Sequence, residues 1–162
     1  MPSTSSSYEK VLSSARLQTV LDGYRAQKKK IVFTNGCFDL LHIGHVRYLE
    51  QAKSLGDILI VGINSDASVK QLKGPTRPIQ NENDRAEILA SLKAVDHTVI
   101  FTEETPLRLI QEVKPNLLVK GGDWKINQIV GSDFVLSNGG EVKSLQFIDG
   151  RSTTSIIEKS KT

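Results

Sequence analysis

An α/β fold, built on a doubly wound parallel sheet of about five strands in a single domain, is what this 162-residue chain predicts. Short apolar runs rich in β-branched residues recur at 31–34, 58–63, 98–101, 117–119 and 142–148. Segments with apolar residues at helical spacing lie between them. The runs are almost wholly apolar rather than alternating, as strands covered on both faces must be. Strands that alternate with helices of about 10 to 15 residues imply βαβ units and a parallel sheet.

The elements follow in order. Residues 1–12 read as a disordered tail; the Ser-rich stretch 1–7 has no apolar core and is not a secretory signal. The domain proper, 13–162, opens with an extra helix over 14–27. It ends at Lys28, Lys29 and Lys30, a solvated run that offsets the helix dipole. After the first strand comes a helix carrying Val46, Leu49, Ala52 and Lys53. The second strand leads to residues 71–80, whose Gly74, Pro75 and Pro78 mark a mobile loop. Helices built on Ala86, Leu89 and Leu92, and on Leu107, Ile110 and Val113, precede the third and fourth strands.

Composition narrows the function. Lys plus Arg total 21 and Asp plus Glu 18, a net charge of +3. That excess suits an anionic ligand but is too small and too dispersed for a nucleic-acid surface. One cysteine excludes an intrachain disulfide framework and favours a reducing compartment. No apolar run approaches the roughly 20 residues of a membrane span. A soluble cytoplasmic protein is expected.

In a doubly wound sheet, ligands bind beyond the carboxyl ends of the strands. The loop TNGCFDLLHIGH, residues 34–45, leaves the first of them. Gly36 lets the chain turn, Phe38 can pack inward and Asp39 can hold the loop. Gly44 bares the start of a helix, where free N–H groups favour an anion. His42 and His45, at i and i+3, project from one helix face and can donate hydrogen bonds or positive charge to phosphate oxygens. Zinc would need further ligands, and only Cys37 and Asp39 lie near, with no distal pair; His97 precedes another strand. Cys37 reads as a small packing residue. There is no G-x-x-x-x-G-K-[ST], no G-x-G-x-x-G after the first strand and no G-x-S-x-G. Phosphate handling is the best reading of the histidine pair.

The stretch GCFDLLHIGH resembles the His-x-Gly-His signature of the cytidylyltransferase-like nucleotidyltransferase superfamily, whose sheet is Rossmann-like. VKGGDW at 119–124 and GRSTTSII at 150–157 resemble its later motifs, in the expected order. Within it, NSDASVKQLKGPTRPI followed by RAEILASLKAVDHTV is most similar to the heptose 1-phosphate adenylyltransferases. The resemblance implies transfer of AMP from ATP to D-glycero-β-D-manno-heptose 1-phosphate, for lipopolysaccharide core synthesis. It implies Mg²⁺ held through phosphates with no protein ligand, a homodimer, and a separate heptose kinase supplying the sugar phosphate.

The same resemblance assigns residues. His42, His45 and Lys73 would be catalytic. Thr34, Asn35, Gly36, Cys37, Phe38, Lys120, Gly121, Gly122, Asp123, Gly150, Ser152, Thr153 and Thr154 would join the two histidines in binding ATP. Asn64, Asp66, Arg77 and Arg85 would meet the acceptor, although Arg85 also suits a surface ion pair. Trp124 either borders the site or fills a core gap. Glycerol-phosphate cytidylyltransferases carry an arginine where this chain has Phe147, with Arg151 after the glycine instead. Rival readings are a cytidylyltransferase for glycerol 3-phosphate or a related small phosphate, a flavin adenylyltransferase, and a nucleotide sensor without turnover.

Overall fold

A computed structural model describes residues 6–147 and 150–161. Five parallel strands form one sheet, in the order β3-β2-β1-β4-β5. They are β1 (Ile31–Gly36), β2 (Ile58–Asn64), β3 (His97–Phe101), β4 (Leu117–Gly121) and β5 (Glu141–Leu145). The winding reverses between β1 and β4, so the switch point lies at the end of β1. Every residue of the inner strand β2 is buried, while the edge strand β5 is partly exposed along its length. The expected doubly wound α/β fold is therefore present.

The helices sort into two layers. On one face, Leu17 and Leu21 of α1 (Ser14–Ala26), Ile110 and Val113 of α5 (Leu107–Val113) and Val135 of α6 (Ser132–Ser137) pack on Phe33, Ile60 and Leu118. On the other, Tyr48, Leu49 and Ala52 of α2 (Ile43–Ser54) and Ala86 and Leu89 of α4 (Glu82–Ala90) cover Val32, Val61 and Val119. Successive β-strand side chains point to opposite faces, which is why Val32 and Phe33 enter different layers.

Three expectations change. The tail over 1–12 is not wholly disordered: Ser7–Lys10 form a 3-10 turn, Val11 bridges Thr98, and Leu12 is buried in the core. Lys10 Nζ donates to the carbonyl of Ala90, an acceptor that the end of α4 leaves open, and to that of Val95 in the turn before β3. Residues 1–5 lie outside the described residues. The stretch 71–80 is not all loop, because α3 (Asp66–Lys73) runs through its first three residues with Ser65 as cap. Strand β5 ends at Leu145 rather than running on through Gln146 and Phe147, and Ile148 lies outside the described residues.

Candidate active site

At the carboxyl ends of the strands lies a cleft of about 660 Å³. Its floor is the β1–α2 loop, Asn35 to Asp39. Phe38 takes a left-handed conformation, φ 47°, which turns its ring back over Gly36. A β-carbon at residue 36 would stand 2.8 Å from that ring, so glycine is required there for close approach rather than for an unusual dihedral.

Asp39 holds the loop, as its position suggested, and holds more besides. Its buried carboxylate accepts from Arg77 Nε at 2.7 Å and from the backbone amides of Ile79 and Gln80. The Gln80 side chain donates back to the Asp39 carbonyl at 2.8 Å. Burial pushes the Asp39 carboxyl up, but the Gln80 and Ile79 amides and the Arg77 guanidinium outweigh it and hold it below its usual range. Residues 77–80 are thereby tied to the floor, against the expectation of a freely moving loop. Lys73 ends α3 just before this segment and faces the cleft.

The histidine pair has a geometry that the spacing alone did not specify. His42 is the N-cap of α2, its Nδ1 accepting the Gly44 N–H at 3.1 Å. The Gly44 N–H expected to face an anion is therefore occupied. The acceptor role of Nδ1 puts the proton of the neutral His42 ring on Nε2. His42 and His45 stack with centroids 3.8 Å apart, and Phe38 meets His45 edge-on at 5.1 Å. Burial, then the neighbouring His42, press the His45 pKa down to about 4. Burial and the Arg151 guanidinium lower that of His42. Both rings are thus neutral donors at pH 7 in the free protein, not cations. The buried His45 Nδ1 has no hydrogen-bond partner among the described residues.

Other assigned residues divide. Asn35, Gly36, Cys37, Phe38, Asn64, Arg77, Lys120, Gly121, Gly122, Thr153 and Thr154 line the cleft with His45 and Lys73. Thr34 does not: it is fully buried and its hydroxyl is bonded to Tyr48 Oη at 2.7 Å. Arg85 is neither exposed nor in the cleft. Its guanidinium, 0% exposed, donates to the carbonyls of Gln80, Cys37 and Asn64 and pairs with Asp66 at 2.8 Å. Asp66 is engaged there rather than offered to a ligand. Ser152 caps α7 (Thr153–Ser160) by accepting from Ser155 N, and Thr153 Oγ1 ties that helix to the Leu40 carbonyl at 2.9 Å. His42, Asp123, Gly150 and Ser152 stand outside the lining, Gly150 at φ 73°.

The electrostatics of the cleft come from lysines. Burial lowers the Lys120 pKa, with Lys73 pressing the same way, and its ammonium lies 5.6 Å from the centre of the Trp124 ring. Cys37 is half-buried at the cleft wall rather than packed in the core, and burial pushes its thiol up. Trp124 is 44% exposed and borders the cleft, which decides its role against core filling. Phe147 packs on Tyr48 with centroids 5.4 Å apart, and a methyl group at Gly121 would overlap its ring. Tyr48 lies three residues past His45 on the same helix face, so helical spacing could have placed it at the cleft. Glu104, Thr105 and Pro106 were missed altogether, because nothing local marks a loop that strand order alone brings here.

Comparison with known proteins agrees with this arrangement. The model of a family described as cytidylyltransferase-like matches residues 33–159. The bifunctional protein HldE of Geobacter metallireducens is 56% identical over 155 residues, 96% of this chain and 32% of that protein. HldE of Wolinella succinogenes is 52% identical over 94% of this chain and 31% of its own length. The chain thus spans about a third of the curated relatives it matches. A solved lipopolysaccharide core biosynthesis protein from Thermoplasma volcanium superposes with a TM-score of 0.59 at 31% identity, covering 74% of this chain and 97% of that one. A pantoate-beta-alanine ligase from Francisella tularensis shares the fold, with a TM-score of 0.59 at 16% identity over 93% of this chain and 76% of that one.

Proposed function

The chain belongs to the cytidylyltransferase-like family of nucleotidyltransferases, and from that membership we propose that it transfers AMP from ATP to D-glycero-β-D-manno-heptose 1-phosphate, releasing pyrophosphate. The observation that carries the transfer is His45, which lines the cleft together with Thr153 and Thr154 of α7 and is backed by the stacked, neutral His42 ring at the head of α2. A phosphate oxygen of the acceptor attacks the α-phosphorus. The bond to the bridging oxygen breaks, and pyrophosphate leaves with the electron pair. No covalent enzyme intermediate is needed, so the protein's work is alignment and charge stabilisation. The imidazoles donate hydrogen bonds to phosphate oxygens, Lys73 and Lys120 supply positive charge, and the start of α7 adds hydroxyl and amide donors.

Mg²⁺ is the ion such transfers require. Asp39, the carboxylate of the cleft floor, has both oxygens occupied by Arg77 and backbone amides. Asp39 is thus not available as a ligand, and Mg²⁺ would travel with ATP, held through phosphate oxygens.

The acceptor assignment rests on the heptose-type segments at 64–79 and 85–99 and on the likeness to a protein of lipopolysaccharide core biosynthesis. Phe147, which fills the place of an arginine in the glycerol-phosphate enzymes, favours it over glycerol 3-phosphate. A sugar kinase would supply the 1-phosphate, and the enzyme would act as a homodimer. A screen of pyrophosphate release, with four nucleoside triphosphates against sugar 1-phosphates and polyol phosphates, tests the proposal. The expected result is Mg²⁺-dependent turnover of ATP with heptose 1-phosphate; a preference for CTP with glycerol 3-phosphate would overturn it.

A further inference from the structure

The cleft has two unlike ends. At one end stand His45, Thr153 and Thr154, on helices α2 and α7, which are joined through Leu40. At the other end, the loop from β3 brings in Glu104 and Thr105, just ahead of α5 in the opposite helix layer. The cleft shares Asn35, Pro106, Lys120, Trp124 and Val130 with an adjoining recess of about 100 Å³.

Glu104 is out of character with the rest of the lining, where Lys73, Arg77 and Lys120 are the other charged side chains besides the engaged Asp39. The neighbouring Glu103 has partners of its own, accepting from the Thr102 amide and pairing with Arg108. Among the described residues Glu104 makes neither a hydrogen bond nor an ion pair, and it is exposed at the cleft. A free carboxylate repels a triphosphate, so it does not serve the nucleotide's phosphates. It is an acceptor of hydrogen bonds with two oxygens, the geometry that receives two neighbouring hydroxyl groups of a polyol.

We infer that Glu104 is a specificity-determining residue for the acceptor, receiving a pair of hydroxyl groups on its sugar portion. The inference rests on the transferase reading above and deepens it: the acceptor is a polyhydroxylated phosphate, chosen by its hydroxyls as well as by its charge. Thr105 beside it offers a further hydroxyl, and Pro106 and Val130 give the carbon skeleton an apolar wall.

The full chain is tested by steady-state pyrophosphate release, using whichever hydroxylated phosphate the wild type turns over, and by equilibrium dialysis of labelled ATP. Because Glu104 is exposed and unpartnered, Glu104→Gln and Glu104→Ala are expected to fold normally. Each should raise the acceptor KM roughly 10- to 100-fold, the loss expected for hydrogen bonds to a charged group. The Kd for ATP should stay within about twofold. An acceptor lacking one of the paired hydroxyls should be discriminated against by the wild type and much less by Glu104→Ala, the coupling expected of groups in contact. An unchanged acceptor KM, an ATP Kd that shifts in step with it, or an altered Mg²⁺ dependence would each overturn the inference. The last would make Glu104 a metal ligand instead. A wild type that turns over no hydroxylated phosphate would overturn the transferase reading and this inference with it. That result is distinct from an active wild type whose variants are insensitive.

Discussion

Asp39 and Arg77 lie 38 residues apart in sequence and meet in a 2.7 Å ion pair whose carboxylate is fully buried. The pair joins the floor of the cleft to the segment that follows Lys73, so the two cannot move independently without breaking it. Arg85 reinforces the same joint from below, bonding the Cys37 carbonyl of the floor and the Gln80 carbonyl of the segment. Pre-organisation of this kind keeps a cation close to its target before the ligand arrives.

Removing the carboxylate therefore exposes several groups at once. Asp39→Ala leaves Arg77 and two amides without their acceptor and should cost roughly 3–5 kcal/mol in urea unfolding. Trypsin should cut after Lys73 much faster in the variant than in the wild type. The Asp39 pKa is depressed in the folded state, so its contribution is present above the ordinary value of 3.8 and is lost as pH falls below it. Equal unfolding midpoints for the two proteins at pH 7 would contradict this account.

His45 should act on turnover rather than on binding. In His45→Ala, kcat should fall roughly 10²–10³-fold, the usual loss of one preorganised donor, with the Kd for ATP little changed. A variant that binds ATP poorly but turns over normally once saturated would place His45 in ground-state binding instead.

The charge state of His45 is open to direct measurement. Nuclear magnetic resonance of the ligand-free protein should give an imidazole titration midpoint near 4. Linkage then follows in sign: the unfolded chain takes up a proton near pH 6.5 that the folded one refuses. The contribution of His45 to stability should decline as pH drops from about 6.5 towards 4 and level off below, so that the slope over this range is shallower in His45→Gln. A midpoint at or above 6.5 would mean that the folded protein holds an imidazolium.

Gly44 separates activity from stability. A methyl group there would lie 2.8 Å from His42 Cε1 and 2.9 Å from Nδ1, so the ring must shift and its cap to the helix weakens. The same methyl favours helix by up to about 1 kcal/mol. Gly44→Ala should therefore keep its unfolding free energy within about 1 kcal/mol of the wild type while kcat falls roughly tenfold, a loss of about 1.4 kcal/mol in transition-state stabilisation. Unchanged kcat would show that the His42 position is not critical.

Much of this protein is written in short windows of its sequence. The runs of β1, β2 and β4 follow from their nearly continuous apolar character, and the 14–27 helix (found as Ser14–Ala26) from helical periodicity. The stacking of His42 on His45 instead depends on His42 standing just outside α2 as its N-cap. Helix α3 was obscured because Gly74, Pro75 and Pro78 dominate its neighbourhood, although Ser65 is an ordinary N-cap. What local patterning cannot reach is the partner of a long side chain. Thr34 turns to Tyr48, Arg85 goes under the floor, Arg77 closes on Asp39 and Glu104 arrives at the cleft because strand order β3-β2-β1-β4-β5 sets distant loops side by side. A charge or hydroxyl can pair with any complement within reach, and burial selects the partner that leaves the fewest polar groups unsatisfied, a comparison made only once the chain has folded.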